Sequence, residues 1–249
     1  MCTVIILRRP GHAWPVIMGA NRDEMLNRPW LPPARHWDDR PDIIAGKDEL
    51  AGGTWMGLSD TGVVACILNR HGTLGPAAGK RSRGELVLEA LDHPDTAGAA
   101  EALAEISPRA YRPFNMVIAD NRDAWWVTLV DEKVRVRPIP TGMSMFTAGE
   151  RSDPADPRIG AYLPQFEAAP VPDPDTGDWG AWKAILSSTE NQGERAMSFR
   201  LPSGFGTSSS SLLALPSPAK AFGAEKTQPI WLFAAGPPES SPFTAVTRD

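Results

Sequence analysis

The sequence is poor in cysteine, with only Cys2 and Cys66, and poor in histidine, with four. Two cysteines cannot make a disulfide framework, which points to a reducing cytoplasm. Neither they nor His12, His36, His71 and His93 fall at metal-ligand spacing, so no metal site is expected. Long apolar runs are missing too. Nothing approaches the ~20 residues needed to cross a bilayer, so no integral membrane segment is expected. The apolar residues 4–7 are too few for a signal peptide, and Arg8-Arg9 follow them instead of preceding them. There is no Lys/Arg run, and a net charge of −5 argues against a nucleic-acid footprint. A Gly-x-Ser-x-Gly elbow is absent, Gly52-Gly53-Thr54 lacks the lysine of a phosphate loop, and Gly204-x-Gly206 precedes no helical pattern.

What is present describes an ordinary globular chain. Its 249 residues are 42% hydrophobic and 22% charged, with 25 prolines and 22 glycines predicting many turns. No repeat of 20–50 residues and no linker interrupts them, so residues 1–249 read as a single domain. Nine tryptophans are many, and they suit a large apolar pocket for a small-molecule or lipid-like ligand. Oligomeric state is not legible.

Residues 2–7 read as a buried strand and 14–20 as its hairpin partner, with Asn21-Arg22-Asp23-Glu24 where that strand stops. Residues 27–42, with four prolines, cannot be sheet interior and read as a loop. A second hairpin turns at residues 59–62 and ends at Asn69. Ser82 and Glu85, three apart, signal a helix start before residues 86–91, and residues 96–106 form a second helix. A third hairpin, 114–120 with 124–129, turns on a second Asn-Arg-Asp, so that tripeptide alone carries little information. Strands at 133–138 and 143–148 follow. Helices are expected at 156–168 and 179–188, then a turn through the serine run to Ser211, and strands at 212–215 and 228–233. Hairpins, helices and further strands give an α+β class.

The chemistry starts at Cys2. A cysteine at position 2 becomes N-terminal once the initiator methionine is removed, and removal is efficient before a small residue. One residue then carries a thiol and a free α-amine, titrating near ~8.5 and ~8, a nucleophile with its own base. By position alone, a small residue opening a buried strand is the plainer reading. An acyl-transfer site also needs a group to orient the base and donors for the oxyanion. Asp23 could orient the α-amine and Asn69 could donate to the oxyanion; equally, Asp23 could be a turn residue paired with Arg22, and Asn69 a strand-end cap. Cys66, on an apolar strand, reads as an inert core thiol.

Met1-Cys2-Thr3, Asn21-Arg22-Asp23-Glu24, Gly53-Thr54-Trp55-Met56-Gly57, Ser82-Arg83-Gly84-Glu85-Leu86, Phe114-Asn115 and the late Trp231-x-Phe233-x-x-Gly236-x-Pro238 together resemble the NRDE family, that of transport and Golgi organisation protein 2. That family is similar in turn to N-terminal nucleophile hydrolases of the choloylglycine hydrolase and penicillin acylase type. The resemblance implies an αββα sandwich of two antiparallel sheets flanked by helices. It implies an N-terminal cysteine amide hydrolase acting on a small acylated amine and requiring no cofactor. Cys2, Asp23 and Asn69 would be catalytic, and Asn21, Arg22, Glu24, Trp55 and Asn115 would line the substrate.

This chain departs from the enzymes' pattern at three places. Ala20 stands where they keep an arginine. The neighbouring Arg22 is expected to point to the other face unless a turn re-aims it. Ala148 stands where they carry an asparagine, and Ser208 follows Gly206-Thr207 where relatives carry arginine. The family resemblance also implies an alternative: a non-catalytic carrier of haem or of an acyl-coenzyme A, with His12, His36 or His71 reaching the iron.

Overall fold

A computed structural model describes residues 2–224 and 226–248. The chain divides into two compact units: Met1–Arg28 with Pro140–Val246, and Pro29–Ile139 with Thr247–Asp249. Each is built on one antiparallel sheet with a few helices, an α+β architecture.

The first unit holds β1 (Thr3–Arg8), β2 (Val16–Met25), β10 (Gly142–Phe146), β11 (Phe205–Leu215), β12 (Ile230–Ala234) and β13 (Phe243–Ala245), and the helices α3 (Pro157–Ala168), α4 (Gly180–Leu186) and α5 (Pro218–Ala221). Sheet order is β10-β1-β2-β11-β12-β13. β1 and β2 form the expected hairpin, with Thr3 opposite Asn21. Side-chain alternation sends Ile5, Leu7, Ile17, Leu212 and Ala214 to one face, where they pack on Ile159, Tyr162 and Phe166 of α3 and Trp182 and Leu186 of α4. Gly19 lies on that face with no room to spare: a Cβ there would meet Ile5 Cγ2 at 3.0 Å and Leu186 Cδ1 at 3.2 Å.

Two expectations are corrected here. The strand does not stop at residue 20, because β2 runs on through Asn21-Arg22-Asp23-Glu24. Nor is the serine run a turn. All of β11 is buried strand, pairing with β2 along its length. Five consecutive hydroxyls look like turn chemistry in isolation, but here Asn21, Arg22 and Asp23 of β2 bond to Ser210, Ser208 and Thr207.

The second unit holds β3 (Trp30–Ala34), β4 (Ile43–Asp48), β5 (Met56–Ser59), β6 (Val64–Asn69), β7 (Phe114–Ala119), β8 (Ala124–Val130) and β9 (Lys133–Pro138), hydrogen-bonded in that order, with α1 (Gly84–Leu91) and α2 (Thr96–Ala104). Leu86, Val87, Ala90 and Leu91 of α1 and Ala99, Ala100 and Leu103 of α2 pack on Ile43, Ala45, Ala65, Met116, Ile118 and Val127 of the sheet. The proline-rich stretch expected as a loop contains β3. It is an edge strand, and its register slips between Leu31 and Ala34, where Pro32 and Pro33 have no N–H to give. The Ser82–Glu85 pair does not form a capping box. Arg83 is the N-cap, and Glu85 instead accepts from the Tyr111 hydroxyl at 2.6 Å. No helix among the described residues is long and apolar enough to cross a membrane.

Candidate active site

The polar end of β2 faces two ways. Asn21 and Asp23 share the face of Ile17 and Gly19, toward α3 and α4; Ala20 and Arg22 share the other. Ala20 and Arg22 are two positions apart in a continuous strand. They therefore lie on the same face, contrary to the expected opposition.

Cys2 is half-buried, and its sulfur sits 3.4 Å from the Asp23 amide nitrogen and 3.5 Å from the Asp23 carbonyl oxygen. It thus meets both peptide groups of the residue two beyond Asn21, where the β1–β2 ladder ends. Burial pushes the thiol above its ordinary pKa, and the Asp23 charge adds to that. The Asp23 peptide contact and the charge of Arg22 pull the other way. Met1, whose removal the mechanism needs, lies outside the described residues.

The Asp23 carboxylate is bonded to other side chains. Its Oδ2 accepts from Arg158 Nη1 at 2.9 Å, in an ion pair whose side chains are 1% and 0% exposed, and its Oδ1 accepts from Thr207 Oγ1 at 2.8 Å. Arg158 Nη1 also donates to Thr3 Oγ1 at 2.7 Å, and Nε and Nη2 donate to the Glu194 carbonyl at 3.1 and 2.7 Å. Sequence reasoning missed Arg158. An arginine in the first turn of a helix carries no local sign of burial, and its partner lies 135 positions away.

Asn21 is equally occupied. Its Nδ2 donates to the carbonyls of Leu186 and Met197, both at 2.9 Å, and its Oδ1 accepts from Ser210 at 2.7 Å. Arg22, 6% exposed, donates to Ser208 Oγ at 2.9 Å, while Ser208 donates to the Arg22 carbonyl at 3.1 Å. Ser208 is the extra residue of a β-bulge: Thr207 pairs with Asp23 and Ser209 with Arg22. Asn21, Arg22 and Asp23 are thus met in turn by Ser210, Ser208 and Thr207. Glu24 accepts from its neighbour's amide, Met25 N, at 2.8 Å and lies 4.0 Å from Arg28.

The remaining expected site residues belong to the second unit. Asn69 ends β6, half-buried, and its side chain has no hydrogen-bond partner among the described residues. Asn115 is fully buried and accepts from Arg70 at 2.8 Å and from Trp126 Nε1 at 3.3 Å. Leu68 pairs with Asn115, so alternation puts Asn69 and Asn115 on opposite faces of their sheet. Trp55 lies over Gly46 and meets Trp30 edge-on at 5.6 Å. Cys66 is buried among core strands.

The histidines do not fit a haem ligand set. His12, exposed, takes the Trp14 amide on Nδ1; His36 is bonded through Nε2 to the Pro32 carbonyl; His71 is exposed. None of the three is enclosed as an axial ligand would be. Trp14, Trp179 and, on α4, Trp182 are core side chains in the cluster between the first sheet and its helices.

Residues 1–152 match the model of a family described as Transport and Golgi organisation 2. Among curated proteins, a Transport and Golgi organization 2 homolog from Mus musculus is 35% identical over 115 residues, 44% of this chain and 40% of its own length. The Bos taurus homolog is 33% identical over 116 residues, with the same shares of both chains. The chain thus aligns with 40% of the length of these curated relatives. Among solved structures, an ortholog of N-acylethanolamine-hydrolyzing acid amidase from Caenorhabditis elegans is similar with a TM-score of 0.60 at 15% identity, covering 92% of this chain and 98% of that one. A variant of the conjugated bile acid hydrolase of Clostridium perfringens has a TM-score of 0.56 at 14% identity, covering 98% and 92%. At such identities the likeness shows the fold, that of N-terminal nucleophile hydrolases.

Proposed function

Since this chain belongs to the Transport and Golgi organisation 2 family, we propose that it is an N-terminal cysteine amidohydrolase cutting the amide bond of a small acylated amine. The observation that carries this reading is the Cys2 sulfur, held by both peptide groups of Asp23 where β1 begins. The substrate class is taken from a structural neighbour named as hydrolysing N-acylethanolamines.

With Met1 removed, the Cys2 α-amine takes the thiol proton and the thiolate attacks the amide carbonyl carbon. The ammonium returns the proton to nitrogen as the C–N bond breaks, and the amine leaves a thioester on sulfur. Water, deprotonated by the same α-amine, then attacks the thioester, releasing a carboxylic acid and restoring the thiol. An ordinary thiol, with a pKa of about 8.5, is mostly protonated at neutral pH, so attack needs such a base. Asp23 holds sulfur with its backbone while Arg158 and Thr207 hold its carboxylate. A reducing cytoplasm suits such an unpaired thiol.

Intact mass spectrometry with a panel of N-acyl amines tests this reading. Met1 should be absent, and Cys2→Ala should abolish hydrolysis; retained Met1, or a Cys2→Ala variant of undiminished rate, would sink it. A second reading, carriage of a fatty-acyl thioester without cleavage, is favoured by one observation. Both Asp23 oxygens are already bonded, to Arg158 and Thr207. Titration with a long-chain acyl-coenzyme A should then saturate one-to-one and survive Cys2→Ala, and failure to saturate removes this reading.

A further inference from the structure

Arg158 makes and breaks no bond in the reaction just written, yet it joins three segments of chain around the nucleophile. Asp156 caps α3 by accepting from the amides of Arg158 and Ile159, which fixes the first turn and the root of the arginine side chain. From there the guanidinium reaches Thr3, the residue after Cys2, and Asp23, whose peptide groups hold sulfur. It also reaches Glu194 of the 3₁₀ turn Gly193–Arg195 and lies over the Phe199 ring at 5.4 Å. A buried guanidinium fork with all these acceptors is rigid.

We propose that Arg158 is a positioning residue for the Cys2 thiol. It anchors Asp23 on the helix-facing side of the sheet, so that the Asp23 peptide groups stay on sulfur and the carboxylate charge is answered away from it. This rests on the thiol being the reacting group of the proposed hydrolase.

Charge makes the proposal separable from a purely structural role. The charged groups nearby are the α-amine of Cys2 itself once Met1 is removed, Arg22 and Glu24 beside Asp23 on β2, Asp156 at the start of α3, itself bonded to Thr147, and Glu194 and Arg195 in the 3₁₀ turn. β11 presents hydroxyls only where it meets Asp23 and Arg22. The Asp23 carboxylate opposes formation of the thiolate. Removing its counter-charge should disfavour the thiolate, and removing the carboxylate itself should favour it.

The experiment follows the pH dependence of Cys2 alkylation by iodoacetamide, resolved from Cys66 by peptide mass spectrometry, in three variants. Arg158→Met should shift the alkylation midpoint upward and slow the reaction at pH 7 by about tenfold, one pH unit of thiol titration. Asp23→Asn should shift the midpoint downward and speed alkylation. Combining Arg158→Met with Asp23→Asn should return the rate to within about threefold of the parent, since the opposed charges are removed together. A folded Arg158→Met protein with an unmoved midpoint, or an Asp23→Asn protein that reacts no faster, overturns the proposal. If Arg158→Met fails to fold, the Asp23→Asn and combined variants decide it. Alkylation is read without hydrolysis, so this result stands apart from the fate of Cys2→Ala on N-acyl amines.

Discussion

Asn21 offers a clean test of whether the polar end of β2 is framework or substrate surface. Its side chain is 1% exposed, and its amide nitrogen supplies a donor to each of two carbonyls at the C-terminal end of α4 and beyond it. In Asn21→Ala the Leu186 carbonyl loses its side-chain donor. Among the described residues the Met197 carbonyl keeps the Thr207 hydroxyl at 3.4 Å, and Ser210 retains the Ala20 carbonyl at 3.1 Å. One buried acceptor left bare costs about 1–3 kcal/mol and the second loss somewhat less, so a destabilisation of about 2–4 kcal/mol is expected. In a chain of this size that corresponds to a fall in Tm of about 6–12 °C. Asn21→Asp should be worse, because it turns an oxygen toward two carbonyl oxygens. Thermal melts and urea titrations of both variants measure this. A melt of Asn21→Ala within about 1 kcal/mol of the parent, together with a raised KM for an N-acyl amine, would refute the framework assignment and make Asn21 a substrate contact.

Two further perturbations follow from the same geometry. Gly206→Ala would bring a Cβ to 2.5 Å from the Phe199 carbonyl oxygen and 3.1 Å from the Arg200 Cα, both main-chain atoms, so a loss of about 1–3 kcal/mol or more is expected in a thermal melt; an unchanged Tm would contradict the packing of β11. The raised thiol pKa of Cys2 makes the folded state hold its proton longer than the unfolded chain does. Its stabilising contribution is therefore whole below the unfolded value of about 8.5 and declines as pH rises from there through the folded value. Denaturation midpoints should fall over that alkaline window in the parent and fall less in Cys2→Ser; parallel curves would count against the shift.

Much of this fold was legible in the sequence because its signals are local. The hairpins at β1–β2 and β7–β8 announce themselves by apolar runs around turn residues, and α3 by Asp156 before Pro157. Asp120 takes the amides of Arg122 and Asp123, as a turn built on the second Asn-Arg-Asp requires. The polar strands escaped. Residues 21–24 and the serine run each look like loop when read alone, because neither shows the alternation that marks a strand. Each takes side-chain hydrogen-bond partners from the other, about 184–189 positions away. β4 was not singled out, and β3 was hidden by its prolines. Of the site, Cys2 and Asp23 were readable as a pair. That they meet through the Asp23 main chain, with the carboxylate turned to Arg158, depends on strand direction and helix placement that no short window contains.

The first unit is assembled from two stretches of chain, with residues 29–139 between them. During synthesis Asp23 leaves the ribosome 184 residues ahead of Thr207, roughly 10–40 s at 5–20 residues per second. In that interval the intervening segment emerges whole, and strands β3 to β9, adjacent in order, can zip into their own sheet. The framework around Cys2 closes last. Until β11 is made, Cys2 travels on a nascent chain whose Asn21, Arg22 and Asp23 have neither Thr207 nor the serine ladder to hold them.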